Sequence, residues 1–531
     1  TNFSGVDYLV FVMFLSVSAF IGMFFAWKDR KKGTNQDYLT GGRKLDMFPV
    51  CMSLIASFLS SNTVLGVPSE IYLYGTQFYI NLLSAGIAVV LAVKVFMPIY
   101  YRLNLTSVNK YLLRRFGVNA IRIAGSIGLI FCTLPYLGVV LYGPSLALSS
   151  VTPLKVPMSI LVVGATCIFY TSIGGIKAVI WTDVVQIILM FLGLLMVAIV
   201  GSIDAGGLLE PWRIASQHER LVIFNPIFSP YRGDTFWAVL LGTLSFWVGN
   251  YCVNQTQVQR YCCMKTPEKA KKSLYWNIPG VFLISFTAIW CGVIIFAKYH
   301  NCDPISLKIV EKHDQLMPYI VSDLLGKYPG LPGLFVSCVF SGSLSTLSSG
   351  FNALATVTWD DLIKRYFREA TEKKQLRITK FIALSYGLLA IGIAFLVGRL
   401  GTVLQASYAL SGSITGPLLG LFCLGIFIPC ANAIGAFVGI ILGVGTCLFI
   451  TFGTLVNPRP KGFQLPVSVD GCSRETVTEV GFDQWYNASQ RHYTVNYWPK
   501  GMNSIYHISY MYIPVVGILT TVITGIIASL I

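Results

Sequence analysis

Four hydroxyls, Ser341, Ser345, Ser348 and Ser349, recur at helical spacing in an otherwise apolar part of a 531-residue chain. On a helix they form one polar stripe. A dry lipid-facing surface would not tolerate that stripe. It faces either a neighbouring helix or a cation, and hydroxyl and carbonyl oxygens suit a hard cation such as sodium. A second oxygen-rich stretch runs from Ser53 to Thr63. Its side chains compete for backbone hydrogen bonds and favour local unwinding; the alternative is a small-residue contact between helices. A third stretch, 401–417, carries Gly412, Gly416 and Pro417 as breakers and Gln405 as an amide able to bond a solute. All three read as interrupted helices that would put polar backbone at mid-membrane. Asp183 is the most informative charge. An intramembrane carboxylate is costly and usually functional, unless it snorkels to the interface.

The elements holding these residues must be membrane spans. The chain is 54% hydrophobic and 12% charged, with mean hydropathy +0.67. A soluble domain carries roughly 25% charged residues, so most of this surface must face lipid. Apolar runs of about 20 residues recur throughout, the signature of transmembrane helices. We place about thirteen, at 7–26, 47–67, 77–100, 120–148, 156–173, 181–202, 236–253, 277–297, 332–357, 378–398, 402–426, 431–453 and 508–530. No period-two alternation supports a β-barrel. The fold class is therefore an all-α polytopic membrane protein, a single transmembrane domain over 1–531.

The net charge of +16 sits in short loops between apolar runs, which suits anionic lipid head groups and not nucleic acid. The inner set would include Arg30, Lys31, Lys32, Arg43, Lys44, Arg114, Arg115, Arg260 and Lys364. By the positive-inside rule the N-terminus is outside and the C-terminus inside. No cleavable signal peptide is expected, since Thr1–Val6 has no basic residue. Asn487 heads a glycosylation sequon in the longest outer loop, 454–507, whereas the sequon at Asn2 lies at the tip and those at Asn104 and Asn254 would face inward. Cys302 and Cys472 fall in two different outer loops. A disulfide between them is expected; the alternative is two free thiols.

No Walker A, HExxH, CxxC or nucleophile elbow is present, so neither ATP-driven transport nor an enzyme is expected. No TVGYG-like filter points to a potassium channel. The five His lie in outer loops or at a loop–span junction, which does not support a buried proton relay.

Tyr170-Thr171, Gly174-Gly175, Ala178-Val179, Thr182-Asp183 and Gln186 together resemble the first signature of the sodium:solute symporter family. Leu404-Gln405, Gly416 to Gly420 and Gly425 to Phe427 resemble its second, and Gln255 to Arg260 resembles the loop after its seventh span. The resemblance covers nearly the whole chain. Gly66 to Tyr72 and Val253 to Gln255 look most like the vitamin, monocarboxylate and iodide carriers. Phe58 and Thr63 depart from the sugar carriers, which have Asn and His there.

The resemblance implies a LeuT-type fold of two five-helix inverted repeats, about 47–202 and 236–426, with flanking helices 7–26, 431–453 and 508–530. It implies a sodium site made by backbone oxygens of Ala56, Leu59 and Gly342 and the hydroxyls of Ser345 and Thr346, with Asp183 at a further sodium site. Asn62, Thr63, Gln77, Tyr251 and Gln405 would line a solute pocket. The implied function is sodium-coupled import of a small, anionic organic solute across the plasma membrane, a monocarboxylate or a vitamin such as biotin or pantothenate. The alternatives are an inorganic anion such as iodide, or a non-transporting sensor or channel of the same fold. No Arg or Lys is visible in the pocket, so sodium or helix N-termini would supply its positive potential.

Overall fold

The computed structural model describes residues 3–29, 45–103, 107–367, 369–397, 402–457, 464–489 and 498–531. Arg30 to Lys44, the sequons at Asn2 and Asn104, and Gly401 lie outside them. Apolar runs set the helices: α1 (Gly5–Asp29), α2 (Met47–Phe58), α3 (Asn62–Tyr74), α4 (Thr76–Leu103), α5 (Asn119–Val151), α6 (Val156–Asp204) and α7 (Phe236–Val253). After α7 come α8 (Gln255–Cys262), α9 (Pro267–Tyr299), α10 (Leu331–Tyr366), α11 (Glu372–Val397), α12 (Val403–Phe427), α13 (Ala433–Val456) and α14 (Ile513–Leu530). No strand forms among the described residues; Leu45 and Met264 make one isolated bridge.

Among the described residues ten helices are long and apolar enough to cross a bilayer, or eleven if α2 and α3 form one bent span. The predicted first and fifth spans have shorter described apolar stretches, Gly5–Ser18 and Val156–Phe169. The predicted spans 156–173 and 181–202 form one continuous helix of 49 residues. At 1.5 Å per residue a straight run of that length is about 74 Å, more than twice the roughly 30 Å hydrocarbon core, and its Ile176–Asp204 part alone is long and apolar enough to cross. Its halves meet different partners. Gly164 and Ile168 abut Ile391 and Gly387 of α11, while Gly193 abuts Cys338 of α10.

The centre of the molecule is α10. Its apolar window is 89% buried, against 28% for α14. It packs on α1, α2, α5 and α6, while α12, α13 and α14 form a group at one edge. Near the end of α10, Asp361 accepts from Arg122 Nε at 2.9 Å, Ser107 Oγ at 2.6 Å and Ser126 Oγ at 2.7 Å, which ties α5 and the loop before it to that end.

One of the three expected interruptions forms. The α2–α3 pair bends by 52° at a break after Phe58. Leu59 takes an extended conformation, and a π-helical turn, Asn62–Gly66, restarts the helix. The other two expectations are corrected. α10 is regular helix from Leu331 to Val357, because its hydroxyls bond back one turn. Ser349 donates to the Ser345 carbonyl at 2.6 Å and Thr346 to the Gly342 carbonyl at 3.1 Å. α12 runs unbroken through Pro417. Its glycines serve close approach: a Cβ at Gly416 would lie 2.3 Å from the Pro514 carbonyl oxygen of α14.

Candidate functional site

Where α2 stops, the carbonyls of its last turn lose their helical partners. Gly342 of α10 faces this gap. A Cβ there would lie 3.2 Å from Ser60 C and 3.3 Å from Ser61 N, so the absence of a side chain lets α10 come against the break. One turn further along α10, Thr346 Oγ1 reaches the Ser57 carbonyl at 3.4 Å. Ser345 Oγ is buried and has no hydrogen-bond partner within 3.5 Å, with the Asp183 carboxylate close enough to interact with it. Ala56, Leu59, Gly342, Ser345 and Thr346 are all buried at this junction. The donor set is neutral, hard oxygen from two helices. Among the described residues no cluster of three or more His, Cys, Asp or Glu could hold a metal. A buried hydroxyl without a partner, beside freed carbonyls, fits a sodium ion.

Asp183 lies one level further along α10. It is fully buried, so its carboxylate does not reach out to solvent. Its Oδ2 accepts from Ser53 at 2.5 Å and from Arg260 Nη2 at 3.1 Å, while Oδ1 has no partner. Arg260 also donates to Ser53 at 2.7 Å and to Ser349. The structure thus gives Asp183 a guanidinium partner that the sequence reading did not foresee. Arg260 reads there as an inner-loop cation, yet it is buried on α8.

The expected solute residues do not share one chamber. Asn62 Nδ2 donates to Ser407 of α12 at 2.5 Å, and its Oδ1 has no partner. Thr63 lies beside it in the π turn. Gln405 donates to the Tyr74 hydroxyl at 3.4 Å. Near it, buried Glu70 accepts from Tyr510 at 2.5 Å. Gln77 Oε1 accepts from the Asn225 amide at 2.8 Å, so it holds a loop. Tyr251 packs on Phe58 with ring centroids 4.2 Å apart, and its hydroxyl has no partner. A cavity of about 30 Å³ adjoins the junction, lined by Ser57, Phe58, Tyr136, Asn250, Asn254 and Thr346 among others. It has room for about one water. None of the five expected solute residues lines it. Thr133 and Tyr136 were missed; Pro135 between them, mid-span in α5, was the signal.

A bent apolar span meeting a hydroxyl-lined central helix defines a secondary transporter of the broken-helix type. The family model described as "Sodium:solute symporter family" matches residues 38–443, and the chain belongs to that family. Sodium-coupled monocarboxylate transporter 1 of Homo sapiens is 41% identical, over 99% of this chain and 87% of its own length. The sodium-dependent multivitamin transporter of Oryctolagus cuniculus is 40% identical, over 100% of this chain and 83% of its own length. The solved structure of a Na+-coupled sialic acid symporter, in a substrate-bound outward-open state, superposes with a TM-score of 0.80 at 23% identity, covering 99% of this chain and 98% of that one. That likeness establishes the fold.

Proposed function

We propose that this protein couples the inward sodium gradient to import of a small organic anion, a monocarboxylate or a vitamin such as biotin or pantothenate, across the plasma membrane. One observation carries the reading: the unpartnered Ser345 hydroxyl, buried where α10 meets the freed carbonyls of α2. Sodium held by Ala56, Leu59, Gly342, Ser345 and Thr346 would join the two helices. The names of the relatives, monocarboxylate and multivitamin carriers, support the solute class.

The coupling follows from where those ligands sit. They belong to two separate helices, α2 and α10, so the site is complete only while both are in place. Each sodium moving down about 100 mV contributes about 2.3 kcal/mol, before its concentration gradient. Sodium and solute must raise each other's affinity equally. Asn62, Thr63, Gln77, Tyr251 and Gln405 form the solute pocket once the halves about 47–202 and 236–426 rock apart. Asp183 serves a further sodium when Arg260 releases it. The N-terminus lies outside and the C-terminus inside. The outer face carries Asn487, which is exposed, and the bonded pair Cys302–Cys472, with Cα atoms 4.8 Å apart.

Radiolabelled uptake in cells expressing the protein, with sodium and with choline in its place, tests the reading. Sodium-dependent uptake of pyruvate or biotin, each competed by the other anion class, is expected. Equal uptake in choline would reject it, and block by perchlorate alone would shift the solute to an inorganic anion.

A further inference from the structure

Residues 221–231, Leu-Val-Ile-Phe-Asn-Pro-Ile-Phe-Ser-Pro-Tyr, hold no charged side chain, yet they form the connection before α7 and not a span. Their backbone is stitched to the start of α4. The Thr76 hydroxyl donates to the Val222 carbonyl at 3.2 Å, Asn225 N donates to Gln77 Oε1 at 2.8 Å, and the Tyr79 hydroxyl donates to the Ile223 carbonyl at 2.9 Å. With the polar groups so occupied, much of the apolar side-chain surface is left uncovered by the protein. Ile223 is 73% exposed and Phe228 70%, and Phe224 and Ile227 are exposed as well. A contiguous exposed apolar patch marks a surface that meets something other than water.

The neighbours say what that is. Tyr79 and Trp237, both exposed, stand at the ends of α4 and α7 beside the patch. Aromatics with one apolar and one polar edge collect at the membrane–water boundary. Phe224 rests on Phe236, the first residue of α7, at 4.9 Å between ring centroids. The patch is therefore continuous with the lipid-facing surface of α4, where Leu83, Ile87 and Val90 are exposed. α7 is also short. Its 18 residues span about 27 Å, less than the roughly 30 Å hydrocarbon core. The segment before it must lie at or within the boundary for the core to be covered.

We infer that residues 223–228 form an interfacial anchor whose apolar side chains enter the leaflet on the side of the Cys302–Cys472 bond. Arg220, at its root, donates to the Tyr72 carbonyl at 2.7 Å and to the Pro466 carbonyl at 2.6 Å, so the anchor is fastened to the end of α3 and to the loop on that face. The anchor thus links lipid to the outer half of the bent span.

The test uses the full chain in phosphatidylcholine vesicles. Nitroxide labels are placed at Ile223→Cys or Phe228→Cys, with Cys430→Ser removing the exposed free thiol, and Glu475→Cys, exposed on a distant loop, is the reference. Power saturation should give an oxygen-to-nickel-chelate accessibility ratio several-fold higher at 223 and 228 than at 475. The same ratio at all three sites would put the segment in water and overturn the inference. Exclusion of both reagents would reveal a protein contact and overturn it too. Hydroxyl-radical footprinting of the unsubstituted protein gives an independent reading. Phe228 should be oxidised several-fold less than Phe482, which is similarly exposed on the outer loop; equal oxidation would count against the anchor.

Discussion

Ser345 and Thr346 are the two side-chain ligands of the proposed sodium site. Replacing both hydroxyls, as Ser345→Ala with Thr346→Ala, should abolish sodium-dependent uptake and leave surface expression intact; unchanged uptake at low sodium would reject the site. Helical spacing marked Ser345 as part of a hydroxyl stripe that faces either a neighbouring helix or a cation; Thr346 entered only through the family resemblance. Arg260 was not legible. Its burial depends on Asp183, distant in the chain, and a cation within Gln255–Arg260 reads as an inner loop. Arg260→Ala would leave Asp183 buried and uncompensated, at a cost of about 3–5 kcal/mol. Thermal unfolding in detergent should show a large loss for that variant and a smaller one for Arg260→Met with Asp183→Asn. Asp314, in the loop before α10, accepts from the Val403 amide at 2.7 Å. Burial pushes its carboxyl up to about 7. A raised folded-state value means stability that is full in acid and falls as pH rises from about 4 through 7. Asp314→Asn should flatten the stability–pH curve in that window, read as melting temperature against pH.

At the scale of elements, the polar stretch from Ser53 to Thr63 marked the break in the second span, since six competing side chains within it weaken one ladder. The same reasoning failed for α10 and α12. Serines spaced a turn apart bond back to their own helix, as Ser343 does to the Val339 carbonyl at 3.2 Å. A lone Pro417 costs one ladder bond without ending the helix. What Gly412 and Gly416 do is visible only once α14 lies beside them. Gly416→Ala would drive a Cβ into the Pro514 backbone, where no side chain can yield. Overpacking of this kind costs about 1–3 kcal/mol, and a lower melting temperature with unchanged sodium half-saturation is the expected result.

For the molecule as a whole, composition alone announced helices in lipid, because a chain this poor in charge cannot cover itself in water. The number of crossings was less legible: the stretch from Val156 to Asp204 carries helical hydrogen bonding throughout, and hydropathy alone does not mark where one crossing gives way to the next. The Cys302–Cys472 bond closes a loop of 170 residues between two connections on one face. Constraining so long a loop stabilises by about 2–5 kcal/mol. Cys472→Ser, or reduction of the purified protein, should lower the melting temperature; no change would mean the two loops are held by other contacts.

Between Phe58 and Asn62 part of the ladder was surrendered when the chain folded. An ordinary helix must rupture hydrogen bonds, each contributing about 0.5–1.5 kcal/mol, before it can flex. This one has kept only part of that ladder at the break, with Leu59 N on the Ile55 carbonyl at 3.2 Å and Thr63 N on the Ser60 carbonyl at 2.9 Å. Fewer ladder bonds therefore stand against a change in its 52° bend than in an unbroken span.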